Sequence, residues 1–352
     1  MDSFMEEVVG FLEDKRDEVR AEAATTVASL TGSVDGVKLL QGNCKLLYPV
    51  LLRLLHDTSS TVVSQVYATL VNLSLDETAC RELLALGVVQ RVMEILRSGD
   101  DFGETPAPSL VGPAKLLSNL TLHQSAIDQL LQKGKGPLEG YFVSWIVKAI
   151  VCDDEGKREE REYFSCVLTN VSQDAVGRRA LLDSGGANLR VLNDEIDLGK
   201  TQTALRRESL CKVYRNVFMG CAKDNTTKDL EETGAIAACV RLLSSIAESP
   251  AATSSGTIPL NPAAAPAPAE ALTAPCRRAI LEGILCLAEE EDTRRELWKQ
   301  RVPDILQKVY EAEPDISEIN EVIERCADIF ISNTETEEAQ EDQVGKVEEV
   351  AG

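Results

Sequence analysis

The segment KLLSNLTLH, at residues 115–123, decides the fold because related segments recur along the whole chain. Each copy is a short apolar stretch of helical character, followed by a polar break. One position is shared by all copies, and the steps between its occupants are 43, 47, 51, 46, 70 and 43 residues. Self-similarity at such a period is typical of repeat proteins. The copies are TTVASLTGS (25–33), ATLVNLSLD (68–76), KLLSNLTLH, CVLTNVSQD (166–174), KVYRNVFMG (212–220), EGILCLAEE (282–290) and CADIFISNT (326–334), and the shared position holds Ser29, Asn72, Asn119, Asn170, Asn216, Cys286 and Ile329.

The sequence that follows each copy repeats as well. In CRELLALGVVQRVMEIL (80–96) two segments with apolar residues every three or four positions meet at Gly87. In TRRELWKQRVPDILQKVY (293–310) Pro303 stands near the start of the second segment. This spacing is that of helices, glycine commonly ends a helix, and proline is tolerated in a first turn. The pattern predicts a short helix, a medium helix and a longer third helix that carries the shared position.

A three-helix unit of this length has the armadillo/HEAT period. One such unit cannot bury its apolar faces alone, so neighbouring units stack around a continuous core. We therefore predict an all-α, right-handed superhelical solenoid of about six three-helix repeats. The alternative is a globular all-helical bundle, which does not explain seven aligned segments.

The repeats are expected to form one solenoid over residues 1–333. Asp315 and Glu318 form a predicted capping box for the last long helix. Residues 249–275 hold six prolines and one charged residue, which predicts a flexible Ala/Pro-rich insertion. Residues 334–352 are predicted to be a disordered acidic tail. The expected unit bounds are 3–32 (a two-helix cap), 33–75, 76–122, 123–173, 174–223, 224–289 and 290–333.

Composition argues for a cytoplasmic protein, with the nucleus left open as a second location. Asn-x-Ser/Thr triplets begin at Asn72, Asn119, Asn170 and Asn225, but the first three lie in predicted helices rather than exposed loops. The N-terminal residues are acidic where a signal peptide would be basic. The ten cysteines are scattered through the chain, which is typical of reduced thiols. The glycoprotein hypothesis is therefore rejected.

The formal charge of −22 disfavours nucleic acid and anionic membranes as partners, because both carry negative charge. The same charge permits basic protein partners.

No pattern indicates catalysis, a metal site or a cofactor. The two histidines, His56 and His123, have no partner nearby in sequence and are expected at the surface or at helix ends. The cysteines form no C-x-x-C motif, so buried packing roles are expected. The glycines of GKGPLEG (134–140) lack the Lys-Ser/Thr that completes a phosphate-binding loop.

The asparagines of the shared position form a candidate ladder, which we call the asparagine ladder. Asparagine offers both a donor and an acceptor to a peptide backbone, and third helices are expected to line the concave face of such a solenoid. The other interpretation is that each asparagine bonds a neighbouring repeat and fixes the stacking. Both remain open, since one amide can serve both. The predicted partner-binding residues are Asn72, Asn119, Asn170 and Asn216, with the cations Lys115, Lys212 and Arg215.

The sequence resembles known armadillo proteins at these positions. Importins of the alpha type pair such asparagines with a tryptophan one turn earlier, where this chain has Ala68, Lys115, Cys166 and Lys212. A closer resemblance is to the Hgh-one family, the brain-protein-sixteen homologues. It is carried over residues 3–333 by VVGFLEDKRDEVRAEAATTVASLTGS (8–33), LTNVSQDAVGRRALLD (168–183), RRESLCKVYRNVF (206–218) and CRRAILEGILCLAEEEDTRRELWKQRVPDILQKVYEAEPD (276–315).

The resemblance implies a monomeric, non-enzymatic folding adaptor without a cofactor. Members of that family are thought to bind newly made translation elongation factor two and to pass it to the cytosolic chaperonin (TRiC/CCT), with prefoldin as a further partner. The alternative function is a general armadillo scaffold or transport adaptor that binds an extended peptide along its groove.

Overall fold

The computed structural model describes residues 3–98, 109–152, 161–196, 203–248, 272–312 and 318–333. They belong to two compact units, Met1–Val176 and Gly177–Gly352. The acidic tail 334–352, residues 249–271 of the predicted insertion and Asp315 of the predicted capping box lie outside the described residues. The predicted repeat bounds stay a prediction.

Unit 1 contains helices and their connections, and no strand occurs in the part of it that the structure describes. A 3-10 turn occupies Gly136–Leu138 within the segment GKGPLEG (134–140). The helices are α1 (Ser3–Leu12), α2 (Asp17–Leu30), α3 (Val34–Gly42), α4 (Cys44–Leu54), α5 (Ser60–Leu73), α6 (Glu77–Ala85), α7 (Val88–Ser98), α8 (Val111–Leu120), α9 (Gln124–Leu130), α10 (Tyr141–Val151) and α11 (Glu162–Val171).

Unit 2 also contains only helices and their connections among its described residues. Helix α12 (Ala175–Glu195) starts just before the division between the units and is interrupted at 183–186, where the backbone leaves the helical region. Residues 318–333 are helical as well. The remaining helices are α13 (Ala204–Asp224), α14 (Thr227–Glu232), α15 (Ala235–Glu248), α16 (Ala274–Glu289), α17 (Glu291–Lys299) and α18 (Val302–Ala312).

Short polar side chains begin several of these helices. Asp76 accepts hydrogen bonds from the backbone N–H groups of Thr78 and Ala79, both at 2.9 Å, in front of α6. Ser33 accepts from the N–H of Gly36 at 3.1 Å in front of α3. Such caps satisfy N–H groups that have no partner within the helix.

The predicted junctions between helices are confirmed. Gly87 lies between α6 and α7 with φ of 73°, the left-handed conformation that glycine adopts without steric cost. Pro303 is the second residue of α18. The prediction of a longer third helix is wrong for α8, which has 10 residues against 11 in α7, and for α11, which has 10 against 11 in α10. Pro113 explains why α8 begins only at Val111. Proline is tolerated in the first turn of a helix, where its missing N–H costs nothing, so the helix cannot extend further towards the N-terminus.

Consecutive repeats pack through their third helices. In unit 1, α2 packs on α5, α5 on α8 and α8 on α11, and in unit 2 α13 packs on α16. The core between them is mainly leucine, valine, isoleucine and alanine, as the low aromatic content predicts. The all-α solenoid is thereby confirmed.

One close helix contact requires glycine. A Cβ at Gly112 of α8 would lie 2.7 Å from both Cβ and Cγ of Tyr67 in α5. Real Cβ atoms do not approach side chains this closely, so α8 can pack on α5 only without a side chain there.

We expect Gly112→Ala to lower the free energy of unfolding by about 1–3 kcal/mol, the typical cost of overpacking. The matched control is Gly10→Ala in α1, where nothing lies within 4 Å of the added Cβ; it should stabilise the helix by up to about 1 kcal/mol. Urea unfolding of both variants measures the difference. Equal effects of the two substitutions would contradict the close packing of α5 and α8.

A buried ion pair connects the first repeats of unit 1. Nε of Arg20 in α2 donates to Oδ2 of Asp57 at 2.7 Å, and Nη2 donates to Oδ1 at 2.9 Å. The side chains are 12% and 7% exposed. The hydrogen bonds from Arg20 lower the pKa of Asp57, although its burial opposes the shift.

Asp57→Asn should cost about 1.5–3 kcal/mol near neutral pH, because a charge-assisted hydrogen bond is lost. The pKa of Asp57 is lower in the folded than in the unfolded chain, where it is about 3.9. The stabilisation by ionised Asp57 is therefore complete at pH values above the unfolded pKa. It is lost as the pH falls through the lower pKa of the folded chain. Urea unfolding should show the difference between wild type and variant shrinking below about pH 4. A difference independent of pH would contradict an ionic contribution. Glu77→Gln, which removes the exposed pair with Arg81, is the control and should cost under about 1 kcal/mol.

Candidate functional site

Three asparagines of the ladder stand near the C-terminal ends of α5, α8 and α11, and each donates its side-chain N–H to the preceding repeat. Nδ2 of Asn72 donates to Oγ1 of Thr31 at 2.7 Å. Nδ2 of Asn119 donates to Oγ of Ser74 at 3.0 Å and to the carbonyl oxygen of Val71 at 3.3 Å. The asparagine amide thus bridges neighbouring third helices.

Asn170 repeats this arrangement. Its Nδ2 donates to Oγ1 of Thr121 at 3.0 Å and to the carbonyl oxygen of Ser118 at 3.2 Å. In each case the accepting hydroxyl stands two residues after the ladder position of the preceding repeat. These hydrogen bonds show that the stacking contact, one of the two interpretations of the ladder, is present in unit 1. Ligand binding by the same residues stays a prediction.

The other side of each amide is open. Among the residues that the structure describes, none donates a hydrogen bond to Oδ1 of Asn72, Asn119 or Asn170. Asn72 is exposed, and the other two are half-buried. Each repeat of unit 1 therefore presents one asparagine carbonyl that can accept a hydrogen bond from outside.

Among the described residues, the carbonyl of Asn216, unlike the other three, has a donor within its own unit. Asn216 is buried within α13, with 8% of its surface exposed. Its Oδ1 accepts from Nε and Nη2 of Arg215 at 3.4 and 3.3 Å. Its carbonyl is therefore already engaged within unit 2.

The three predicted cations all have intramolecular partners. Nζ of Lys115 lies 5.0 Å from the ring centroid of Tyr163, a cation–π contact. Nζ of Lys212 donates to Oε1 of Glu208 at 2.6 Å, one turn earlier in α13. Arg215 pairs with Glu282 of α16 at 3.2 Å. Such partly exposed pairs contribute about 0–1 kcal/mol, so a partner carboxylate could compete for these cations at small cost.

Sequence reasoning missed an apolar position beside the ladder. Leu75 and Leu122 each stand three residues after a ladder asparagine, and both are 72% exposed. Met219 has the same relation to Asn216 and is 54% exposed. A search for apolar residues at a constant offset from the ladder would have found them. Exposed leucines in successive repeats add hydrophobic contact area next to the open carbonyls.

The cysteines are free thiols, and most serve as packing residues. Burial raises the pKa of Cys80 to about 11 and that of Cys326 to about 12, which keeps both protonated. Cys276 differs, because a hydrogen bond with Cys211 lowers its pKa to about 7, against the effect of burial, and the hydroxyl of Thr273 donates to its sulfur at 3.1 Å.

His56 is exposed, and His123 occupies the residue before α9 without a side-chain capping bond. Within the described ranges no group of three or more His, Cys, Asp or Glu side chains could hold a metal ion. No helix in the same ranges is long and apolar enough to cross a membrane.

Comparison with solved structures identifies the architecture. A designed armadillo repeat protein in complex with the peptide (KR)4 superposes with a TM-score of 0.56 at 14% identity, over 80% of this chain and 98% of that one. The fold is that of armadillo-repeat proteins. An engineered protein gives a TM-score of 0.66 at 17% identity, over 93% of this chain and 67% of the other.

A chain from a study of the phosphorylation-controlled interaction between cadherin and β-catenin gives 0.62 at 15% identity, over 92% of this chain. The present chain spans about half of that protein's length, 52%. No family model matches the sequence, and no curated protein matches it either.

We expect Asn119→Ala and Asn170→Ala each to lower the free energy of unfolding by about 0.5–1.5 kcal/mol, the usual contribution of a lost hydrogen bond. Asn72→Ala should cost less, because that side chain is exposed and water replaces its partner. Urea unfolding of the three variants measures their losses in free energy of unfolding and so ranks them. If none of them changes stability, the amide bonds do not hold the repeats together.

Proposed function

We propose that this chain is a non-enzymatic protein-binding scaffold that holds an extended segment of another protein along the asparagine ladder. The proposal rests on the different roles of the two ends of each asparagine side-chain amide in unit 1. Nδ2 of Asn72, Asn119 and Asn170 bonds the preceding repeat, whereas Oδ1 has no donor among the described residues.

The open carbonyls suit an extended peptide because such a segment carries backbone N–H groups without internal partners. The stacking bonds hold each asparagine in one orientation, so little side-chain entropy is lost when a partner binds. Leu75 and Leu122 supply apolar contacts beside two of the carbonyls. The designed armadillo protein that shares this fold is complexed with a basic peptide, (KR)4, and the charge of −22 is compatible with a basic partner here.

The finer form of the proposal rests on the sequence resemblance described above. In that form the chain is a cytoplasmic, monomeric adaptor that binds newly made translation elongation factor two and links it to the cytosolic chaperonin, with prefoldin as a further partner. It needs no cofactor. Asn72, Asn119 and Asn170 would contact the backbone of the client. Lys115, Lys212, Arg215 and Asn216 stay predicted contacts, which would first have to give up their internal partners.

The distribution of charge limits how the helices themselves attract a basic client. The described residues hold 38 acidic and 32 basic side chains, a formal charge of −6. The other segments hold 20 acidic and 4 basic residues, a charge of −16. Long-range attraction would therefore come mainly from the charge of those other segments, and it would weaken with salt.

Binding by the ladder can be separated from stacking with a matched pair of variants. Asn170→Ala removes both the stacking bond and the open carbonyl, whereas Thr121→Val removes only the accepting hydroxyl. Both should cost similar stability, about 0.5–1.5 kcal/mol. Retention of newly translated elongation factor two by the immobilised chain should fall about tenfold for Asn170→Ala and stay near wild type for Thr121→Val.

Equal losses of capture in the two variants would reject the ladder as the binding surface and leave it a stacking device. Affinity purification from cytosol at low and high salt tests the adaptor form separately. Elongation factor two together with chaperonin subunits, lost as salt rises, is the expected result. If the co-purified protein is another one and is lost with Asn170→Ala, the adaptor form fails and the general scaffold stands.

A further inference from the structure

Two pairs of cysteines lie across the interface between α13 and α16 in unit 2. Cys211 and Cys221 belong to α13, and Cys276 and Cys286 belong to α16. The two members of each pair, Cys211 with Cys276 and Cys221 with Cys286, are 65 residues apart in the sequence. Because α13 and α16 pack on each other, these equal separations place each cysteine of α13 opposite one of α16.

The backbones of α13 and α16 approach each other closely in this same register. A Cβ added at Gly283 would lie 2.9 Å from Cδ2 of Phe218 and 3.3 Å from Cα of Arg215. Gly283 and Phe218 are also 65 residues apart in the sequence. A disulfide requires Cα atoms about 4.4–6.8 Å apart, a separation that facing helices reach only at close contacts of this kind.

The thiols of the first pair are hydrogen-bonded to each other. Cys211 donates to the sulfur of Cys276, and the hydroxyl of Thr273 donates to the same sulfur at 3.1 Å. Cys276 is also the third residue of α16, where the N–H groups of the first turn favour a negative charge. The donors stabilise a thiolate, so the pKa of Cys276 is lowered to about 7, mainly by the bond from Cys211 and against the effect of burial.

The second pair lacks this arrangement. The thiol of Cys221 donates to the carbonyl oxygen of Phe218 at 3.1 Å, within its own helix. Burial raises the pKa of both Cys221 and Cys286 above the ordinary value of a thiol. Both therefore stay protonated near neutral pH, and the thiolate rather than the thiol is the nucleophile. The second pair is thus a control for the first at the same interface.

We propose that Cys211 and Cys276 form a reversible disulfide that fastens α13 to α16 when the protein meets hydrogen peroxide. Both side chains are 0% exposed, so the oxidant has to be as small as this hydroperoxide. The thiolate of Cys276 attacks one peroxide oxygen, the O–O bond breaks, and a sulfenic acid and a hydroxide ion result. The hydroxide takes up the proton that Cys276 released and becomes water.

Cys211 completes the reaction as the resolving thiol. Its sulfur attacks the sulfenic sulfur of Cys276, the S–S bond forms, and the hydroxyl leaves as water with the proton of Cys211. Two thiols and one hydrogen peroxide thus give one disulfide and two water molecules, and a dithiol reductant reverses the bond by exchange. Reversible disulfides of this kind are the ones that a reducing compartment permits.

The crosslink would restrict the separation of the two helices. It would close the loop between α13 and α16, which also carry the ion pair of Arg215 with Glu282. The inference does not depend on the function proposed for the asparagine ladder.

The test treats the full chain with hydrogen peroxide, blocks the remaining thiols with N-ethylmaleimide and maps disulfides by tryptic digestion and mass spectrometry. The expected product joins the peptide of Cys211 to that of Cys276, and dithiothreitol removes the link. It should form severalfold faster than a link between Cys221 and Cys286, because more of Cys276 is thiolate at neutral pH. The proposal is overturned if the first link is absent, if both links form equally, or if Cys211 is joined instead to nearby Cys239 of α15.

Cys211→Ser separates the resolving role from packing, because a serine hydroxyl can still donate to the sulfur of Cys276 but cannot form the disulfide. The sulfenic acid of Cys276 should therefore persist in this variant. Dimedone, added with urea to expose the sulfur, should label it severalfold more than in wild type. Cys221→Ser is the matched control and should form the link between Cys211 and Cys276 as wild type does. Equal dimedone labelling of Cys276 in wild type and Cys211→Ser would show that Cys211 resolves nothing and would overturn the proposal.

Discussion

Every other feature of this protein depends on one constraint: a single three-helix repeat cannot bury its own apolar surface. The repeats must therefore stack, and their interval must be fixed closely enough for side chains to interdigitate. Two devices set that interval in unit 1. Close helix contacts such as that of Gly112 with Tyr67 exclude a side chain, and each ladder asparagine bonds the hydroxyl of the preceding repeat.

This stacking device also prepares the surface for binding. An asparagine amide has a donor, Nδ2, and an acceptor, Oδ1. In Asn72, Asn119 and Asn170 the donor is hydrogen-bonded to a hydroxyl of the preceding repeat. What the surface offers outward is therefore a row of acceptors with fixed orientation. A row of acceptors selects for donors, and the backbone N–H groups of an extended chain are the most regular donors that a protein partner carries. Stability and recognition are thus coupled at the same residues, and variants that remove only the accepting hydroxyl are needed to separate them.

Charge and apolar surface are distributed unevenly over the chain. The described helices are close to neutral in balance, whereas the connecting and terminal segments carry most of the negative charge. The ladder of unit 1 combines asparagine carbonyls that have no donor among the described residues with the exposed apolar side chains of Leu75 and Leu122.

The sequence by itself determined the repeat and its helices. The recurrence of segments such as KLLSNLTLH gave the period, and local chemistry placed the junctions at Gly87 and Pro303, because backbone conformation there depends on the residue itself. The alignment also singled out the asparagines, since they occupy one column of the repeat.

Only the tertiary structure decided what those residues touch. Asn72, Asn119 and Asn170 share a column with Asn216, yet no described residue donates to the carbonyl of the first three, whereas the carbonyl of Asn216 accepts from Arg215. Leu75 and Leu122 are apolar in the sequence but exposed in the fold. Exposure and hydrogen-bond partners depend on groups about 40 to 50 residues away along the chain, and local residue preferences carry no information about such distant partners.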